Sequence, residues 1–229
     1  MYQERAGRQP GAVVWTRTES AVEDVRVLPD GCMDLIWTST GDLFVAGPDT
    51  VAYLHATQPG RILTGLRFAP GVAPIVLGVA AHELADGRVG LDQLWRPADV
   101  RRVADRLADS AMPGRVLEAV AGERFQDRDT TGLATLREVV RLLRARRSVR
   151  SVAATVGMSE RQLRRRAIEA FGYGPKTLAR ILRAQRAIAL ARSGETLVDV
   201  AFRTGYADQA HLARDIRALA GIPLTQLLD

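Results

Sequence analysis

The chain carries one short plan twice. From Val152 it reads VAATVGMSERQLRRRAIEAFG, and from Val200 it reads VAFRTGYADQAHLARDIRALAG. In the first copy Val149, Val152, Ala153 and Val156 form an apolar helix face that Ser148 caps, and Gly157 supplies the left-handed backbone that ends the helix. Ser159 then caps a second helix over about Glu160 to Ala170, with Leu163, Ala167 and Ala170 inward and Glu160, Arg161, Gln162, Arg164 and Arg165 outward. In the second copy Thr196 caps a helix carrying Leu197, Val200 and Ala201. Gly205 makes the turn, and Asp208 caps a helix carrying Leu212, Ile216 and Leu219. Gly157 and Gly205 lie 48 residues apart but Leu163 and Leu212 lie 49 apart, so the second turn is one residue longer. A repeat of this kind suits a surface with its own repeat, and duplex DNA offers an equivalent groove once per turn.

Between the copies, KTLARILRAQRAIALARSG starts after Pro175, favourable in a first helical turn, and closes at Gly194. A helix of about eighteen residues rises roughly 27 Å, which suits two heads set near one 34 Å turn of DNA. Charge follows the repeat. Residues 133–229 hold 18 Lys plus Arg against 8 Asp plus Glu, whereas residues 1–132 hold 14 against 18. The excess positive charge of the chain therefore sits in the segment expected to meet phosphates. Lys176 is the only lysine. Arginine suits bidentate contacts to phosphate or guanine, although an arginine bias also follows from base composition alone.

The first part of the chain has a different style. VVWTRT, CMDLIWTS, LFVAG, VAYLHA, RILTGLRF and PIVLGVA read as short strands separated by turn signals such as Pro29-Asp30-Gly31 and Gln58-Pro59-Gly60. They predict a small antiparallel barrel or sandwich. After Leu91 the spacing becomes helical, with helices expected over 97–109 and 113–121, and the breaker-rich GERFQDRDTTG at 122–132 is read as a linker. The fold class is thus α+β: an N-terminal small antiparallel β-barrel with helices over 1–124, and an all-α part over 133–229. The single cysteine, Cys32, excludes a disulfide framework and a multi-thiolate zinc site. MYQERAGRQPG lacks the apolar core of a signal peptide and no run of eighteen apolar residues exists, so a cytoplasmic, nucleoid-associated protein away from membranes is expected.

VAATVGMSERQLRRR, GYGPKTLARILRAQRA and VAFRTGYADQAHLARDIRALAGIPLTQLL, in that order, resemble the AraC/XylS family of bacterial transcription regulators over about 133–229. The resemblance implies about seven helices with two helix-turn-helix units, at about 149–171 and 197–220, joined by a bridging helix over about 175–193. It implies recognition helices starting at Ser159 and Asp208. By position Arg161, Arg164 and Arg165 match the contacting face of the first, and Gln209, His211 and Arg214 that of the second; Ser159, Gln162 and Lys176 complete the expected DNA-binding set. Ala167 and Ile216 stand where the family often carries phenylalanine. In the N-terminal part, VLPDGCMDLIW, GLRFAPGVAPIVLGV and LDQLW are similar to a domain preceding this unit in many family members, which implies a cupin-like barrel that senses or dimerises and names no ligand.

Asp34 alternates against Met33 and Leu35, and Arg67 against Leu66 and Phe68. The two either point into the barrel and grip a polar ligand or face water on half-buried strands. Cys32 supports an alternative reading, a redox or alkylation sensor or repair protein using the same DNA-binding part, against which stands the small buried hydrophobe that a lone strand cysteine usually is. His55 and His82 lack the His-x-His spacing of a cupin metal site, so neither metal nor cofactor is expected. No constellation of an enzyme is present. The expected partner is double-stranded DNA, with RNA polymerase, a small-molecule effector and a second copy of the chain as further candidates. A protein that coats DNA without sequence preference is the remaining class, separated from a regulator by specificity for one promoter.

Overall fold

The computed structural model describes residues 1–126 and 130–228. Eight strands occur among these residues: β1 (Tyr2–Ala6), β2 (Val13–Thr18), β3 (Asp24–Val27), β4 (Met33–Thr38), β5 (Leu43–Ala46), β6 (Tyr53–Ala56), β7 (Ile62–Phe68) and β8 (Arg88–Gly90). Six of them pair antiparallel in the order β1-β2-β7-β4-β5-β8, while β3 and β6 form a separate two-stranded ribbon. The antiparallel β architecture is as expected, but the sheet is not closed: β1 and β8 lie at opposite edges and do not pair. The segment PIVLGVA is not a strand. Pro74 sits in the first turn of helix α1 (Ala73–Leu77) and Gly78 ends it at φ 78°, because a short apolar run obeys either period and the Pro and Gly decide for the helix.

Alternation along the strands divides the sheet into two faces. Val14, Leu35, Val45, Leu66 and Phe68 point to one side and pack on α1, α2 (Pro97–Ala108) and α3 (Pro113–Gln126) through Val76, Leu107 and Leu117. Each such fully buried side chain contributes about 1.5–3 kcal/mol. Trp15, Ile36, Ala46 and Leu63 point to the other side, toward the β3–β6 ribbon. Helix α3 continues to Gln126, into the stretch read as a linker, and residues 127–129 of that stretch lie outside the described residues.

The helical part comprises α4 (Leu133–Arg144), α5 (Val149–Thr155), α6 (Glu160–Phe171), α7 (Pro175–Arg192), α8 (Leu197–Thr204), α9 (Gln209–Ala220) and α10 (Leu224–Leu228). Its core gathers Val152, Leu163, Leu178, Ile181, Ala187, Val200, Leu212 and Ile216. Ala167 and Ile216, the two departures from the family pattern, are both fully buried. The two parts interlock. Leu133 of α4 is buried in the core of the β part, and Leu28 packs on the helical core. Gln185 of α7 donates to the Pro29 carbonyl at 2.5 Å. Gly172, at φ +84° after α6, lies against Pro48 and the 3-10 turn at Ala81–Leu84 so closely that an added Cβ would stand 2.4 Å from Pro48 Cγ.

Candidate nucleic-acid interface and effector cavity

Each copy of the sequence repeat folds as helix, turn and helix, and the caps fall on the expected residues. Ser148 accepts from the Ser151 amide at the start of α5 and Thr196 from the Asp199 amide at the start of α8. Gly157 and Gly205 take φ +68° and +77° at the two turns. At the start of α6, Ser159 Oγ accepts from the Gln162 amide at 3.2 Å and Gln162 Oε1 accepts from the Ser159 amide at 2.8 Å, a reciprocal box that satisfies two otherwise orphaned donors. Asp208 accepts from the His211 amide at the start of α9 at 2.6 Å. His211 Nδ1 in turn accepts from the Ala207 amide at 3.4 Å, and its ring meets Tyr206 edge to face.

Beyond these caps, α6 presents Arg161, Arg164 and Arg165 exposed on its outer side, and α9 presents Gln209 and Arg214. None of these four arginines forms an ion pair among the described residues. Ser159, Gln162 and His211 are committed to capping, so their side chains hold the helix starts, whereas the arginines are spent on nothing. Asp215, which on sequence grounds adds negative charge to α9, is instead drawn inward to Arg180, Arg183 and Tyr206.

A basic cleft of about 1130 Å³ runs beside α7. Lys176, Arg180, Arg183 and Arg186 line it from α7, Arg144 from the end of α4, Arg146 and Arg147 from the α4–α5 connection, and Asp30 and Cys32 from the β part. Sequence reasoning placed only Lys176 among the contacts. The signals for the rest were the RARR run at 144–147 and the helical spacing of the α7 cations, which become one surface only after folding. Burial, with Asp30 and Asp34 nearby, pushes the Cys32 thiol well above the ordinary range. A raised thiol pKa disfavours the thiolate, so nothing here supports the cysteine-dependent alternative.

A second cavity, of about 860 Å³, opens between the six-stranded sheet and the ribbon. Asp34 and Arg67 are direct register partners on β4 and β7 and both line it. Arg67 Nε lies 3.2 Å from Asp34 Oδ1 and 3.3 Å from Asp30 Oδ2. Burial raises the Asp34 carboxyl to about 6, against the opposing pull of Arg67. The buried Trp15 Nε1 lies beside that carboxylate without reaching hydrogen-bond geometry. Across the cavity, Glu19 is buried and bound by His55 Nε2 at 2.6 Å and Arg61 Nε at 3.0 Å. Burial works against its charge, but the bonds from the Gln58 amide, Arg61 and His55 prevail and hold it below the usual carboxylate range. Arg88 clamps Asp49 with two bonds and covers the Tyr53 ring at 4.0 Å.

Two family models match the chain: a helix-turn-helix domain over residues 152–229 and a domain of unknown function (DUF6597) over residues 12–90. Residues 152–229 are thus a helix-turn-helix domain of AraC type. Each model covers about a third of the chain, and the one over the β part assigns it no activity. ToxT from Vibrio cholerae O395 superposes with a TM-score of 0.50 at 10% identity, over 99% of this chain and 96% of that one. A structure of ToxT bound to (E)-4-(8-methylnaphthalen-1-yl)but-3-enoic acid matches with the same TM-score and identity, over 99% and 98% of the two chains. At this identity the likeness is one of fold. An AraC-type regulator from Chromobacterium violaceum is 25% identical over 44% of this chain and 94% of its own, with a TM-score of 0.41. No curated protein matches. Within this domain the second helix of each repeat, α6 and α9, carries exposed arginines with no ion pair among the described residues. No helix among the described residues is long and apolar enough to cross a membrane.

Proposed function

We propose that this chain is a transcription regulator of the AraC family, a sequence-specific one that lays α6 and α9 into successive major grooves on one face of a duplex. The observation that carries this reading is the exposed, unpaired set Arg161, Arg164, Arg165 and Arg214 on two capped helices joined by the single 18-residue helix α7. Its rise of roughly 27 Å, with the helix widths added, suits the 34 Å repeat of DNA. Arg161, Arg164 and Arg165 take the i, i+3, i+4 spacing that aligns side chains along a groove. Gln209 and His211 flank Arg214 at the start of the second head, and Lys176 adds to the phosphate field from α7.

The β domain, read as 1–124 with 133–229 as the DNA-binding domain, serves as the sensing element. Its cavity of about 860 Å³ has the size of a small-molecule site, with a largely apolar wall and a few polar groups, Asp34 and Arg67 foremost. That ToxT has been solved with an organic acid bound supports an effector for this fold. RNA polymerase and a second copy of the chain are the further partners of such a regulator. The test is a footprint on the promoter nearest the protein's own gene, with salt-titrated binding to that fragment and to random DNA. A regulator prefers its promoter by about a thousandfold or more. Equal, salt-dependent binding to both would replace this reading with a coating protein.

A further inference from the structure

The β3–β6 ribbon stands between the cavity and the end of the second recognition helix. Alternation splits β3: Val25 and Val27 line the cavity, and between them Arg26 turns the other way, where its Nη1 donates to the Ala220 carbonyl of α9 at 2.7 Å. One residue before β6, the Ala52 amide donates to the Leu219 carbonyl, also at 2.7 Å. The last carbonyls of a helix have no partners within it, and a cation suits its negative end. Here the β domain supplies both. The guanidinium is tucked under the turn that closes α9, since a Cβ on Gly221 would stand 3.3 Å from Arg26 Nη1.

On its other side the ribbon is not part of the six-stranded ladder. Its ties to the rest of the domain are side-chain bonds, Glu19 to His55 and Thr57 Oγ1 to the Ala21 carbonyl among them, together with the loops at its ends. A two-stranded unit held this way moves more readily than a central strand. It forms one wall of the cavity and holds the C-terminal end of α9 at once.

We propose that the β3–β6 ribbon is the element through which occupation of the cavity reaches DNA: an occupant displaces the ribbon, and Arg26 and Ala52 pass the displacement to the end of α9, changing the set of the second recognition helix. This rests on the sensing role proposed above and adds the route. Such coupling is a free energy shared between two sites, so it is measured as a factor in affinity and not as a distance.

The experiment is a double-mutant cycle in the full chain. Ala46→Phe, on β5 in the wall opposite the ribbon, puts a ring into the cavity in place of an occupant; Arg26→Ala cuts the link to α9. Both are read by amide hydrogen exchange at residues 217–221 and by affinity for a promoter fragment at fixed salt. Ala46→Phe is expected to change exchange at the end of α9 and to shift the dissociation constant about threefold or more, and in the Arg26→Ala background that shift is expected to vanish. An equal shift in both backgrounds, or no shift in a folded Ala46→Phe protein, overturns the route. If Ala46→Phe does not fold, Leu63→Phe, on β7 in the same wall, takes its place in the cycle. The sensing role is read separately, by titration with 8-anilinonaphthalene-1-sulfonate. Probe binding that Ala46→Phe blocks, without any coupling in the cycle, rejects the ribbon alone; coupling in the cycle without probe binding keeps the ribbon and rejects the cavity as a site for such molecules.

Discussion

Asp215, on α9, accepts a hydrogen bond from Arg180 Nε of α7 at 2.5 Å. The same carboxylate accepts from Tyr206 Oη at 2.9 Å and Arg183 Nη2 at 3.3 Å, and the Arg183 guanidinium lies over the Tyr206 ring at 4.1 Å. Burial opposes the carboxylate's charge, but the bonds from Arg180 and Tyr206 outweigh it and hold its pKa low. The residue that reads as a repulsive charge in the sequence is therefore the pin that fixes α9 against α7.

Asp215→Ala is expected to cost about 1–3 kcal/mol of stability and to free two arginines. Because the folded carboxyl is held below its unfolded value of 3.8, the contribution is present above that pH and is lost as pH falls through the folded value. Urea titrations at pH 7 of the parent and the variant measure it. Affinity for a two-groove site should fall despite the added positive charge, since the second helix loses its set.

Arg165→Ala should weaken promoter binding more than Arg214→Ala. Arg161, Arg164 and Arg165 share one face of α6, while α9 carries two exposed arginines, Arg214 and, in its last turn, Arg217. If Arg165 reads a guanine edge, its loss costs about 1–3 kcal/mol and relaxes preference at one base position. A phosphate contact would instead weaken all sequences alike and flatten the salt slope by about one unit. Salt-titrated binding curves for the two variants on one fragment decide between these, and a larger loss for Arg214→Ala would reverse the ranking.

Much of the DNA-binding half was readable in the sequence because its signals are local. Ser148, Ser159, Thr196 and Asp208 cap within three residues, Gly157 and Gly205 turn the chain by their own backbone, and the apolar faces repeat at helical spacing. The β half was readable only in part. The strands β1, β3 and β8 carry Tyr2–Ala6, Asp24–Val27 and Arg88–Gly90, short segments whose faces stay half-buried or exposed, so alternation left little trace. Asp34 and Arg67 were correctly set opposite the core residues of their strands, but their pairing depends on the β4–β7 register, which no local pattern declares. The same holds for the basic cleft and for the hold of Arg26 on α9, where partners stand far apart in the chain.

Asp34 should lend the protein a pH dependence of its own. With a folded pKa near 6 against 3.8 unfolded, the native state binds the extra proton between those values, so stability falls as pH rises from about 4 to 6 and then levels. The effect is on the order of 3 kcal/mol. The difference in unfolding free energy between the parent and Asp34→Asn, followed from pH 4 to 7, isolates it from the other carboxylates. A difference that stays constant over that range would show an Asp34 of ordinary pKa.

Gly65 of β7 lies opposite Trp15 of β2, and a Cβ there would stand 2.2 Å from the indole ring. Gly65→Ala should push the indole off the cavity wall, at a cost of about 1–3 kcal/mol by overpacking. A lower urea midpoint together with a shifted tryptophan emission would report it; an unchanged midpoint would mean that the ring has room to yield.

Helix α7 has a consequence for the DNA itself. It runs unbroken from Pro175 to Arg192 and carries no proline beyond its first turn, so it works as a ruler and not as a tether. Each base pair inserted between two half-sites turns the second groove by roughly 34° around the duplex axis and slides it about 3.4 Å along. A ruler cannot follow that rotation. Promoters for this protein would therefore keep their half-sites in strict helical phase: a five-base-pair insertion would put the second groove on the far side of the duplex, and even a full added turn would bring it back to the right face but out of reach.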